Sequence, residues 1–225
     1  EPPPSPPVAW CAPELEPIAG GGCLALPRGA RSEASLVVYF HGLYARTAPQ
    51  EELDRQTRLA QRATARGFAV LAVRGRLGLC AGPYEDWYCW PSSERTADSA
   101  PEIVAELAGA LRLAESRAGS TRRYLVGFSN GGYFATLAAN RGLLSSEAMA
   151  VAHAGAAEPM RSVQARPPML LLFAEDDSSF ESMDALAAGL RRAEWPFATH
   201  VRGGGHQLSD TDIDAALAFF ARTER

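Results

Sequence analysis

Residues 127–131 of this 225-residue chain carry a serine in the order Gly127-Phe128-Ser129-Asn130-Gly131, which is the pattern G-x-S-x-G. The apolar run 123–128 before it predicts a strand, and residues 132–140 after it predict a helix. A serine on a sharp strand-to-helix turn presents its hydroxyl as a nucleophile. The N–H of Asn130 can donate there to an oxyanion. A chance match is the alternative, which the flanking elements disfavour.

A serine nucleophile needs a base, and the chain has four histidines, His41, His153, His200 and His206. His206 follows the last predicted strand and the glycines 203–205, so a flexible loop can present its imidazole to Ser129. His200 lies inside that strand, and His153 lies near the end of another. We therefore predict His206 as the general base and interpret His153 and His200 as structural.

The acid that orients the base is expected in the segment Ala174-Glu175-Asp176-Asp177, which follows the fifth predicted strand. Asp177 is the first choice and Asp176 the second. The carboxylate that does not contact the histidine is expected to cap the next helix or to meet solvent.

Six apolar runs predict buried strands, and helical patterns separate them. The runs are 35–40, 68–73, 123–128, 148–153, 169–173 and 197–201. Continuous apolarity predicts burial on both faces, as in a parallel sheet. A short antiparallel strand is predicted at 23–26. The pattern favours an α/β fold with a doubly wound, mostly parallel sheet, whose ligands bind at the carboxyl ends of the strands.

His41-Gly42, the segment Gly127–Gly132, the Asp176/Asp177 loop and Gly205-His206 together resemble the α/β-hydrolases over residues 23–222. Ser-Asn-Gly-Gly at 129–132 and Cys89-Trp90 are similar to the polyhydroxybutyrate depolymerase and feruloyl esterase group. That group usually has Met where this chain has Tyr133, and related acid loops have Gly where it has Ala174. The resemblance implies a secreted enzyme that cleaves carboxylic esters.

The resemblance also implies site residues. The chain order Ser129, Asp177, His206 is that of the superfamily, and counting from Ala174 favours Asp177 over Asp176. The loop after the first core strand supplies the second oxyanion N–H, for which Leu43 is the candidate and Tyr44 the fallback. Independently of the resemblance, the positions of aromatic side chains predict Tyr44, Trp87, Trp90 and Tyr133 as substrate-binding residues. For the aromatics of the 80–90 loop, packing of an irregular loop is an equally weighted alternative.

Composition narrows the class of protein. Apolar residues make up 47% and charged residues 21%, with a net charge of −4, which is typical of a globular domain. The chain contains no run of Lys and Arg residues that would favour nucleic-acid binding. It also contains no apolar run of 18 residues that would predict a membrane span. The four cysteines form two local pairs, for which we predict the disulfides Cys11–Cys23 and Cys80–Cys89. Their spacing disfavours zinc, and no metal or cofactor is predicted.

The sequence predicts a proline-rich leader over 1–9 and a single domain over 10–225 without a large lid, because few residues separate the fourth and fifth strands. The absence of an initiator Met and the disulfides suggest a processed, secreted or periplasmic protein. We expect a monomeric serine esterase acting on a small or polymeric ester. A serine peptidase of the same fold and a non-catalytic binding protein are the alternatives.

Overall fold

The computed structural model describes residues 10–29, 33–80 and 82–224, so the predicted leader lies outside the described residues. Within these ranges there are ten strands: β1 (Glu16–Ile18), β2 (Gly22–Ala25), β3 (Leu36–Phe40), β4 (Tyr44–Ala45), β5 (Ala69–Val73), β6 (Trp87–Tyr88), β7 (Arg123–Phe128), β8 (Ala148–Ala152), β9 (Met169–Ala174) and β10 (Phe197–Arg202). The same described residues form five α-helices: α1 (Gln50–Thr64), α2 (Ala100–Ala118), α3 (Asn130–Asn140), α4 (Phe180–Arg192) and α5 (Asp210–Thr223).

Eight strands form one sheet in the order β1-β2-β5-β3-β7-β8-β9-β10. The six strands from β5 to β10 in this order are parallel, and β2 and β1 add an antiparallel edge. All six predicted apolar runs are strands, which confirms the mostly parallel sheet. The strand β10 differs from the other parallel strands because it is an edge strand, and its residues are exposed or only partly buried.

Helices cover both faces of the sheet, as the continuous apolar strands predict. Leu36, Val38 and Phe40 of β3 pack into the layer beneath α2, α3 and α4. Val37 and Tyr39 of the same strand point into the opposite layer, beneath α1 and α5. Alternate residues of one strand therefore enter two separate cores, which explains why polar residues are rare in these strands.

The connections explain the accessibility of the sheet edge where the strands end. Between β8 and β9 the chain forms no helix, so nothing resembling a large lid is inserted there. The minor strands β4 and β6 pair with each other and tie the 80–90 loop to the segment after β3. Hydrogen bonds between the Asn130 side chain and the Trp90 backbone hold this loop beside the turn that carries Ser129.

Both predicted disulfides are present, Cys11–Cys23 and Cys80–Cys89. The first fastens the N-terminal segment to β2, and the second closes the 80–90 loop. Disulfides persist in oxidising compartments, so this covalent pattern is compatible with an extracellular or periplasmic protein. In the described part of the chain, no helix combines the length and apolar character that crossing a bilayer requires.

Candidate active site

Ser129 lies on a strained turn between β7 and α3. Its backbone has φ +52° and ψ −121°, a conformation that residues other than glycine rarely adopt. The turn is tight, because a Cβ on Gly127 would lie 2.6 Å from the carbonyl oxygen of Gly131. The amide of Ser129 donates to the carbonyl of Ala152 at 2.8 Å, which fixes the turn on the neighbouring strand. This turn places the Ser129 hydroxyl within hydrogen-bond distance of His206.

Ser129, His206 and Asp177 form one hydrogen-bonded row. The Oγ of Ser129 lies 2.8 Å from Nε2 of His206. The Nδ1 of His206 lies 2.9 Å from Oδ1 and 3.1 Å from Oδ2 of Asp177. A carboxylate can only accept, so we assign the His206 proton to Nδ1, and Nε2 is then free to accept the serine proton. The imidazole is partly exposed, and the carboxylate is buried.

Asp177 is the carboxylate that contacts His206, and Asp176 is exposed. Burial alone would raise the pKa of Asp177, but the Ser179 amide at 2.8 Å and the contacts with His206 and His153 outweigh it. The pKa of Asp177 is therefore below its usual range. The acid is ionised at neutral pH, as an orienting carboxylate must be.

A second histidine contacts the same acid, which the sequence reasoning missed. Nδ1 of the fully buried His153 lies 2.5 Å from Oδ2 of Asp177. Its Nε2 lies 3.1 Å from Nη2 of Arg202 and 3.5 Å from Oδ2 of Asp212. The one sequence signal was the position of His153 after a strand that neighbours β7. That position placed it at the functional edge, but it did not indicate which partner it meets.

The segment after β3 is held by His41, which is fully buried. Burial lowers the pKa of His41 to about 3, so the ring is neutral. Its Nε2 accepts from the Gly75 amide at 2.8 Å, and therefore Nδ1 carries the proton and donates to the carbonyl of Gly42. A Cβ on Gly42 would lie 3.2 Å from Cβ of Ser129. The backbone leading to Leu43 thus passes close to the serine.

Leu43 and Asn130 are the two predicted oxyanion donors, and they lie on the two segments that flank Ser129. Among the described residues, neither amide donates a hydrogen bond to a protein acceptor. The side chain of Asn130 has another role, because its Oδ1 accepts from the Trp90 amide at 2.7 Å and its Nδ2 donates to the Trp90 carbonyl at 3.3 Å. This pair of bonds holds the 80–90 loop against the turn and leaves the Asn130 amide free.

The four predicted substrate-binding residues have different surroundings. Trp90 is 1% exposed and stacks on Phe134, so its ring is part of the core and not of an open wall. Tyr44 is buried as well, between Trp10 and Tyr88. Trp87 and Tyr133 are only partly buried and retain surface that a ligand can reach. The buried positions of Trp90 and Tyr44 support a role in packing, rather than direct contact with a substrate.

A cleft of about 630 Å³ opens beside His206. The residues that line it are all polar or charged: Glu51, Asp54, Arg55, Thr57, Arg58, His206 and Gln207. Charged side chains of both signs therefore lie next to the imidazole.

The acid and its two histidines also raise the question of a metal. One nitrogen of His153, one nitrogen of His206 and one oxygen of Asp177 lie within 4.8 Å of one another. Nδ1 of each ring lies within hydrogen-bond distance of Asp177, so the same atoms are used in hydrogen bonds. We account for this cluster by hydrogen bonding and assign it no ion.

Solved structures of esterases are similar to this chain over most of its length. Esterase PE8 has a TM-score of 0.69 at 21% identity, over 90% of this chain and 98% of that protein. A carboxylesterase from Mesorhizobium loti has a TM-score of 0.66 at 18% identity, over 92% and 99% of the two chains. The Bacillus cereus carboxylesterase has a TM-score of 0.66 at 18% identity, over 90% and 93%. Neither a family profile nor a curated protein sequence matches the chain.

At these identities the likeness concerns the fold. Together with the sheet order and the helices on both faces, it confirms the predicted single-domain α/β-hydrolase fold. In this fold, catalytic groups come from loops at the carboxyl ends of the strands. Ser129 follows β7, Asp177 follows β9 and His206 follows β10, so all three lie at that edge.

Proposed function

We propose that this protein is a serine hydrolase that cleaves carboxylic esters through an acyl-enzyme on Ser129, His206 and Asp177. The observation that carries the proposal is the hydrogen-bonded row of these three side chains at the carboxyl edge of the sheet. The similarity of the fold to solved carboxylesterases supports ester hydrolysis in particular.

The first half-reaction follows from the proton assignment. His206 Nε2 takes the proton of Ser129 while the serine oxygen attacks the ester carbonyl carbon. The carbonyl π pair moves onto oxygen, and the amides of Leu43 and Asn130 stabilise this oxyanion. Asp177 stabilises the resulting imidazolium through Nδ1. When the tetrahedral intermediate collapses, the imidazolium returns its proton to the departing alcohol, and the acyl group remains on Ser129.

The second half-reaction uses the same groups with water. His206 removes a proton from a water molecule, whose oxygen attacks the acyl-enzyme carbonyl. The oxyanion again lies at the Leu43 and Asn130 amides, and the proton passes from His206 to Ser129 as the acid product leaves. Because the imidazole is partly exposed, water reaches this position without the movement of a lid.

The substrate is proposed to be a small ester or an exposed ester of a polymer. An accessible edge without a large insertion between β8 and β9 supports both. Trp87 and Tyr133 are the predicted aromatics with surface available for an acyl or aryl group. Secretion or location in the periplasm is proposed from the two disulfides. We propose a monomer.

The sequence is also compatible with two other functions. A serine peptidase would use the same triad, and a non-catalytic binding protein would tolerate a broken one. The intact contacts among the three side chains favour an enzyme over a binding protein. Comparing kcat/KM for matched ester and amide substrates separates the two enzymes.

The test is reaction with a fluorophosphonate, followed by ester hydrolysis. We expect labelling at Ser129, and we expect Ser129→Ala to lose both labelling and about 10⁶-fold in kcat while remaining folded. A panel of p-nitrophenyl esters of increasing chain length, a feruloyl ester and a soluble polyester then identifies the acyl preference. Turnover by Ser129→Ala equal to that of the wild type would remove Ser129 from the mechanism.

A further inference from the structure

Asp177 is shared by two imidazoles, although a catalytic acid needs only one. His206 contacts the carboxylate on the side of Ser129, and His153 contacts it from within the protein at 2.5 Å. The two rings lie 5.8 Å apart and inclined by 68°. The mechanism above uses His206 alone, so the buried histidine requires its own explanation.

The neighbours of His153 determine which of its nitrogens carries the proton. Arg202 Nη2 lies 3.1 Å from Nε2, and a guanidinium can only donate, so Nε2 accepts. Nδ1 then carries the hydrogen and donates it to Asp177. Asp212 is farther from Nε2, at 3.5 Å, and it has closer donors in Arg202 Nε at 2.9 Å and the Ser209 amide at 2.8 Å. His153 is therefore a neutral donor to the acid.

Arg202 connects this histidine to the loop that carries the base. Besides His153, its guanidinium donates to the carbonyls of Gly203 at 2.8 Å, Gly205 at 3.4 Å and Gln207 at 2.5 Å. Its Nε is held by the buried Asp212. One cation thus contacts the backbone on both sides of His206 and the ring that contacts Asp177.

The backbone of His153 shows that its position is imposed by its surroundings. Its φ is +53°, in the left-handed region that a non-glycine residue rarely adopts. The strand β8 ends one residue earlier, at Ala152, so the chain turns at His153 and brings the ring beneath Asp177. Strain of this kind persists where neighbouring contacts over-determine the conformation, and it clusters at functional sites.

We propose that His153 is a positioning residue, which fixes the carboxylate of Asp177 and limits its hydrogen-bonding strength toward His206. This inference rests on the proposed function and concerns the regulation of that same site. Because His153 donates to Oδ2, Asp177 is a weaker hydrogen-bond acceptor for His206. The carboxylate then stabilises the protonated form of His206 less than an unshared carboxylate would. The base is therefore available at lower pH than it would be with an unshared acid.

The other charged or titratable groups near this pair come from every element packed around it. They are His206 on the loop after β10, Arg202 on β10, Asp212 on α5, Arg55 on α1, and the exposed Glu175 and Asp176 on the loop of Asp177. The guanidinium of Arg55 lies over the ring of Phe128, at the end of β7. A variant that leaves all of these in place and removes one N–H isolates the contribution of His153.

The experiment compares His153→Leu, which removes the donor, with His153→Asn, whose side-chain amide can still donate and which tolerates a positive φ. His200→Asn, a partly exposed histidine on β10, is the matched control. The rate of fluorophosphonate labelling of Ser129 is measured against pH, so no substrate needs to be known. Wild-type labelling and ester turnover test the proposed function itself, before the variants are compared.

For His153→Leu we expect the midpoint of the acid limb to move upward by about 0.5–1 pH unit, with a plateau lowered about 10-fold. His153→Asn is expected to restore most of the wild-type midpoint, and His200→Asn to leave the profile unchanged. Lower rates in both His153 variants with an unmoved midpoint would mean that the residue is only structural, and would overturn the proposal.

A measurement on the wild-type protein covers the case in which His153→Leu does not fold. Nitrogen-15 shifts of the imidazoles at pH 7 report which nitrogen of His153 is protonated. We expect a neutral ring with the proton on Nδ1. A proton on Nε2 alone would contradict the donor role, and a doubly protonated ring would contradict the neutral state.

Discussion

Replacing Asp177 with Asn keeps the shape of the side chain and exchanges one acceptor oxygen for a donor. Three N–H groups converge on this carboxylate. The Ser179 amide contacts Oδ1, His153 Nδ1 contacts Oδ2, and His206 Nδ1 lies within 3.1 Å of both oxygens. An amide has a single oxygen, so at least one of these donors would meet an NH₂ group.

The cost depends on which donor loses its acceptor. If the NH₂ group takes the Oδ1 position, it faces the Ser179 amide and Nδ1 of His206. The Ser179 amide can only donate, so it loses its acceptor. If the NH₂ group takes the Oδ2 position, His153 must move its proton to Nε2, where it meets Arg202. The first orientation also favours a His206 with its proton on Nε2, which cannot accept from Ser129. Loss of the correct tautomer lowers kcat about 10⁴-fold, or about 5 kcal/mol.

The assay compares kcat for a p-nitrophenyl ester in Asp177→Asn and in Asp176→Asn. Asp176 is exposed and adjacent in sequence, so it controls for the loss of one negative charge in this loop. We expect Asp176→Asn to stay within about threefold of the wild type, since surface changes have small effects. Urea unfolding of both variants checks that the fold is intact. An inactive Asp176→Asn beside an active Asp177→Asn would refute the assignment.

Three further predictions concern stability and specificity. Burial raises the pKa of Glu52 from 4.5 to about 7, so the stability that this protonated carboxyl contributes is complete below pH 4.5 and is lost as pH rises through 7. Glu52→Gln cannot ionise, so about 3 kcal/mol of the decrease in unfolding free energy with rising pH should be absent in this variant. The measurement compares the unfolding free energy of the wild type and of Glu52→Gln at pH 5 and pH 8. An equal decrease in the two proteins would contradict the prediction. Replacing Cys80 and Cys89 with Ser should lower the free energy of unfolding by about 3 kcal/mol, measured in urea. Alkylation of these two cysteines in the unfolded wild-type protein without prior reduction would show free thiols and contradict this prediction. Because the cleft beside His206 is polar, kcat/KM should be higher for acetate esters of glycerol than of hexanol, and the reverse order would refute a leaving-group role for this cleft.

Local patterns in the sequence determined the sheet and the order of the chemistry along the chain. A strand buried on both faces must be apolar throughout, so six runs could be recognised without knowing their neighbours. A serine between two glycines at a strand-to-helix turn is likewise a local feature, because the clash that excludes a side chain at Gly127 is with Gly131, four residues away. The disulfides link cysteines 12 and 9 residues apart, and local pairing predicted both correctly.

Only the tertiary structure decided that His153 shares Asp177 with His206, and which side chains surround His153. His153, Arg202 and Asp212 lie 24, 25 and 35 residues away from Asp177 in sequence, and their contacts depend on β8, β9 and β10 being neighbours in the sheet. The same limit applies to Trp90, whose aromatic type fits a substrate wall as well as a core. Its burial against Phe134 follows from the hydrogen bonds that hold its backbone to Asn130, 40 residues away. Hydrophobicity predicts that a residue is buried, but the partner of a polar side chain is set by the arrangement of distant elements.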